Sequence, residues 1–155
     1  MNDAIETDRL IVPGLAVLYQ RFAPLSYPLM RLIAGVILIP HGYAKLFGGF
    51  APVVANNILA KLSFPVPIVW AYWLGILELL GGAMLAIGLL TRPIALLLVI
   101  EFTVITFFWN FQFGFPFTAQ GGGFEYPLVL LVLYVAIFFR GGGRYSLDRL
   151  VGREI

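Results

Sequence analysis

Cysteine is absent from the 155 residues. That excludes disulfides, thiol nucleophiles, iron–sulfur ligation and any dithiol relay. Histidine occurs once, at His41. A bis-histidine haem needs two rings at one height, and neither Met30 nor Met84 falls well opposite His41, so haem ligation is not expected. One histidine with acids at separate depths also falls short of the usual zinc and di-metal donor sets, and no metal site is expected. Charge is scarce: Asp, Glu, Lys and Arg together make 12% of the chain, against about 25% in soluble domains. The net charge of +2 gives no sign of nucleic-acid binding, because the basic residues are spread along the chain. Asp3, Glu6 and Asp8 stand where a cleavable signal would carry a basic region, so none is expected.

What remains is apolar. Hydrophobic residues make up 61% of the chain and the mean hydropathy is +0.95, which marks an integral membrane protein. The length suits one all-α domain of four spans, at roughly 20 residues each plus loops. The spans are predicted over residues 27–47, 66–90, 93–113 and 125–140. Before them, Leu15, Leu18, Phe22 and Leu25 form one helical stripe, read as a short interfacial helix within a cytoplasmic segment 1–26. The loop 48–66 has room for a surface helix from Val53 to Leu62, with Asn56, Asn57 and Lys61 turned to water. Thr91-Arg92-Pro93 makes a turn so tight that the second and third spans must form a helical hairpin. Residues 111–124, rich in Phe, Gly and Pro, read as an interfacial belt that can fold back over the bundle mouth. Residues 141–155 read as a basic surface tail, with Ser146 capping a last helical turn.

Arg and Lys placement sets the topology. Arg9, Arg21, Arg31, Arg92, Arg140, Arg144, Arg149 and Arg153 fall on one side, and only Lys45 and Lys61 on the other. The positive-inside rule then places both termini in the cytoplasm.

The residues that carry chemistry are the charges inside the spans. A carboxylate at the bilayer centre costs roughly 2.5–3.5 kcal/mol on insertion scales, so Glu78 and Glu101 are expected to be neutral, paired or wet. At 1.5 Å per residue, His41 lies roughly 18 Å and Lys45 roughly 24 Å above Leu29. Counted from Arg92, Glu78 lies roughly 21 Å up and Glu101 about 14 Å. The expectation is a polar core with His41, Lys45, Glu78 and Glu125 in its outer half, and Arg31 beneath with Glu101. Gly75, Gly81 and Gly82 leave room for close helix packing, within one chain or between chains. Gly88, Thr91 and Arg92 shape the hairpin turn.

Together these residues resemble the DoxX family of small bacterial four-helix membrane proteins. The resemblance rests on Arg31; on His41-Gly42 with Lys45-Leu46-Phe47-Gly48; on Glu78 with Gly81-Gly82; and on Gly88-Leu89-Leu90-Thr91-Arg92. It continues through Gly122-Gly123-Phe124-Glu125-Tyr126-Pro127 and Gly141 to Asp148, and so covers about residues 28–150. Similar members often carry a histidine at the outer end of span three, where this chain has Trp109-Asn110. The resemblance implies the bacterial inner membrane and a link to quinol oxidases and thiosulfate:quinone oxidoreductases. The first reading is therefore a subunit of a quinone-linked redox assembly. His41, Lys45 and Glu78 would bind or protonate a quinone head group under residues 111–124. The alternatives are a non-catalytic anchor for other membrane subunits and, ranked lower, a small proton-coupled transporter using Glu78. The expected partners are the bilayer and either redox-complex subunits or further copies of the chain.

Overall fold

The computed structural model describes residues 10–118 and 122–152, and among them it is all-helical, without strands. After a short turn at Pro13–Leu15 come α1 (Ala16–Val36), α2 (Ile39–Leu46) and α3 (Ala51–Val54), the last continued by a π-helical turn, Ala55–Leu59. Next are α4 (Pro67–Ile76), a π turn (Leu77–Gly81) and α5 (Gly82–Ile87), which run as one rod. The third long rod is α6 (Thr91–Thr103), extended by a π turn (Val104–Trp109) and a 3-10 turn (Asn110–Phe113). Finally come α7 (Glu125–Arg140) and the short α8 (Leu147–Val151). Among the described residues, three stretches are long and apolar enough to cross a membrane: Pro13–Leu46, Pro67–Ile87 and Thr91–Phe113. The fourth rod, α7, has 16 residues, about 24 Å at the helical rise.

Two boundaries differ from the sequence reading. No break separates an interfacial helix from the first span, because α1 runs continuously through Pro24, Pro28 and Tyr27. The break falls later, at residues 37 and 38, where Pro40 in the first turn of α2 has no N–H to extend the preceding helix. The second rod ends at Ile87, with Gly88 left-handed at φ +73°. Residues 88–90, rather than 91–93, therefore make the hairpin turn, and Pro93 sits within the first turn of α6, where a missing N–H costs nothing.

The rods pack in a ring. The first lies on α4–α5, which neighbours α6; α6 packs along α7, and α7 returns to α1. Leu38, Leu85, Leu98, Tyr134 and Ile137 fill the centre. Tyr134 donates to the Ala34 carbonyl at 3.0 Å, which satisfies its hydroxyl in an apolar interior. Leu29, Ile33, Leu80, Ile100, Val129 and Val132 cover the outside, an apolar exterior suited to lipid. Where α1 meets α5, contact is backbone to backbone. A Cβ on Gly35 would fall 2.3 Å from the Gly82 carbonyl oxygen, so only glycine allows this approach. Gly82 and Gly75 thus face helices of their own chain, and Gly81 faces Ile94.

Outside the ring, Ala51, Val54, Ala55 and Leu59 bury a small second core against Ala71. Asn56, Asn57 and Lys61 are exposed, as their polarity demands.

Candidate functional site

A single close approach creates the site. α2 lies directly on the π turn Leu77–Gly81, and a Cβ on Gly42 would stand 2.4 Å from the Leu79 nitrogen. Lys45, one turn further along α2, is thereby held against Glu78, and the two form an ion pair. The Lys45 and Glu78 side chains are 12% and 6% exposed, so water does little to screen the attraction. The π turn around Glu78 adds a residue to the local repeat, a distortion common where a helix presents a functional side chain.

Glu101 arrives from α6 and faces Glu78 and Lys45. It is buried, and neither carboxyl oxygen meets a hydrogen-bond donor. The neighbouring charge that acts on it most strongly, Glu78, is another carboxyl, and an ionised carboxyl can only accept.

These three residues line one cleft of about 890 Å³. Its other walls are nearly all apolar: Trp70, Trp73 and Leu74 from α4, Ile100 and Val104 from the third rod, and Val54, Ile58 and Leu59 from the outer helix. Trp109, Asn110, Phe117, Thr118 and Gly122 complete it from the loop side. A large apolar cleft with a few converging polar groups is the usual form of a small-molecule site.

The loop after α6 folds back on itself. Asn110 donates through Nδ2 to the carbonyls of Gly122 at 3.1 Å and Gly123 at 3.2 Å. The Gly123, Phe124 and Glu125 amides donate to Pro116, Gly114 and Phe115. Phe111 stacks on Phe124 at 5.1 Å between ring centroids. Lys61 lies over the Trp109 ring at 5.7 Å.

Of the sequence-selected residues, the structure brings together Lys45, Glu78 and Glu101. Glu125 is exposed at the start of α7, where its carboxylate accepts from the Phe117 N–H at 3.2 Å. It orders the loop and does not line the cleft. His41 is exposed and lies outside the cleft lining. It shares a helix with Lys45, but Gly42 and Lys45 take the face turned to the π turn.

Arg31 does not meet Glu101; it holds the tail. Its Nη1 donates to the Gly142 carbonyl. Its Nη2 donates to Tyr145 at 2.6 Å and weakly to Ala86 at 3.5 Å. The tail is therefore tucked against the hairpin turn over its described residues, with Arg144 and Arg149 exposed at the surface. Asp148 is buried, and its carboxylate accepts from the amides of Leu90 at 2.7 Å and Thr91 at 2.9 Å. It supplies the cap that α6 lacks locally, since Leu90 at the N-cap position has no acceptor side chain. Ser146 caps α8, accepting from the Arg149 N–H at 3.2 Å. Arg140 lies over the Tyr27 ring at 4.4 Å.

Sequence reasoning missed the roles of Asn110 and Asp148. The signal for Asp148 was an uncapped helix start at Leu90-Thr91, whose amides need an acceptor from elsewhere.

The arrangement of Gly42, Lys45, Glu78 and the glycines behind them lies within residues 27–110, the stretch matched by the DoxX family model. The chain belongs to the DoxX family. An uncharacterised protein of Haemophilus influenzae is 27% identical over 133 residues, 83% of this chain and 92% of its own length. A Bacillus subtilis protein named "Putative oxidoreductase CatD" is 28% identical over 123 residues, 79% of this chain and 84% of its own. No solved structure matches this DoxX chain. Asn110, the last residue of the match, is also where the cleft wall passes into the loop.

Proposed function

We propose that this DoxX protein is an inner-membrane subunit of a quinone-linked redox assembly. The observation that carries the reading is the Lys45–Glu78–Glu101 group at the wall of an apolar, tryptophan-lined cleft. Flat aromatic walls suit a quinone ring, and the apolar remainder suits its tail. Lys45 donates to a quinone oxygen, and the two carboxyls hold or pass a proton beside it. The oxidoreductase name of the Bacillus relative agrees with this assignment. Electrons come from a partner, and the chain's own part is to bind, orient and supply protons.

The accompanying topology has four spans with α7 as the fourth, and both termini in the cytoplasm. Arg31 of α1, which holds the tail, together with Arg92 at the start of α6 and Arg140 at the end of α7, supports it. The test is binding of decylubiquinone by purified protein in nanodiscs, followed by quenching of the cleft tryptophans. Wild type should bind saturably and Glu78→Gln about tenfold more weakly, from the loss of the charge that orients Lys45. No saturable binding by wild type, with other membrane proteins co-purifying, would make the chain an anchor subunit.

A further inference from the structure

The polar end of the cleft offers more acceptors than donors. Two carboxyls present four oxygens, while Lys45 brings three N–H bonds, one of which is engaged with Glu78. Glu101 is 6% exposed and has no donor at either oxygen. A single proton held between Glu78 and Glu101 satisfies one Glu101 oxygen and leaves the other open. A ligand that completes this site must therefore bring hydrogens of its own.

On the quinone reading above, that requirement separates the two redox forms of the ligand. An oxidised quinone carries only carbonyl acceptors. It can take a remaining Lys45 N–H, but it excludes water from Glu101 and gives nothing back. A quinol carries hydroxyls, each a donor and an acceptor. One hydroxyl can donate to Glu101 while its oxygen accepts from Lys45. We infer that the cleft selects the reduced, hydroxyl-bearing form of its ligand, with Glu101 as the residue that makes the distinction. The inference concerns binding alone; no electron moves in it.

The experiment is a pair of anaerobic titrations of the full chain in nanodiscs, with decylubiquinol and with decylubiquinone, on wild type and Glu101→Gln. Meeting an otherwise unpartnered buried oxygen predicts that wild type binds the quinol about tenfold more tightly. Glutamine keeps the shape and adds an N–H donor, so the variant should bind the quinone better, the quinol worse, and show a ratio near unity. Equal affinity of wild type for both forms would overturn the selection and leave the quinone reading standing. A preference that survives Glu101→Gln would overturn the role of Glu101. Binding of neither form would overturn both this inference and the reading beneath it. Elution of each variant as a monodisperse particle, with unchanged helical circular dichroism, separates these outcomes from misfolding.

Discussion

Replacing Lys45 with methionine keeps most of the length of the side chain and removes its charge. Glu78 is then left in a site where its side chain is 6% exposed, with another carboxyl, Glu101, as its neighbour. Removing one partner of a buried ion pair costs about 3–5 kcal/mol, mostly the desolvation of the charge left behind. The presence of Glu101 puts Lys45→Met at the upper end of that range. Glu78→Gln should cost less, about 1–2 kcal/mol, because Lys45 sits near the end of α2 and its stem can carry the ammonium toward water. If the pair acts as described, the double variant Lys45→Met/Glu78→Gln is more stable than Lys45→Met alone. The coupling energy should be about 2 kcal/mol or more. Equilibrium unfolding in mixed detergent micelles measures all four proteins, with Trp70, Trp73 and Trp109 in the cleft wall as reporters. Additive losses, with the double variant the least stable of the four, would refute the claim that Lys45 exists to hold Glu78.

Two further outcomes follow from the packing and the tail. Gly35→Ala puts a methyl group 2.3 Å from the Gly82 carbonyl and 2.6 Å from the Ala86 nitrogen. Neither can yield without parting α1 from α5, so the same unfolding assay should show a loss of about 1–3 kcal/mol from overpacking. Asp148→Ala removes the acceptor for two amides at the start of α6. A loss of about 1–2 kcal/mol is expected, together with faster proteolysis after Arg144 and Arg149 as the tail comes free. Unchanged cleavage there would mean that Arg31, Tyr27 and the Asp148 backbone bond to Gly88 fix the tail without the carboxylate.

The helices were legible because their signals are local. Long apolar runs, Gly88 and the Glu125–Arg140 segment each report on their own neighbourhood, whereas the break before Pro40 was passed over. The Lys45–Glu78–Glu101 group was only half legible. Depth counted at 1.5 Å per residue separates Glu78 from Glu101 by about 7 Å. That sum assumes straight α-helices, whereas a π turn, Leu77–Gly81, interrupts the rod that carries Glu78, and the turn at residues 88–90 breaks the count from Arg92. His41 was misdirected for a rotational reason. Sharing a face with Lys45 by periodicity is a coarse statement, and the tight Gly42 contact fixes which side of α2 looks inward. Arg31 and Asp148 could not be assigned from neighbours at all. Their partners lie 111 and 58 residues away, and a long-range hydrogen bond leaves no periodic trace.

The distance from Asp148 to Leu90 has a consequence in time. Leu90, at the end of the turn, is synthesised 58 residues before its acceptor. At roughly 5–20 residues per second, that interval is about 3–12 s. Throughout it, the helical hairpin can insert, but the amides of Leu90 and Thr91 depend on water or lipid head groups. The last stretch of synthesis then latches the earlier half of the chain. A nascent chain stalled before Asp148 leaves the Leu90 and Thr91 amides without this acceptor, so its turn stays open on the tail side.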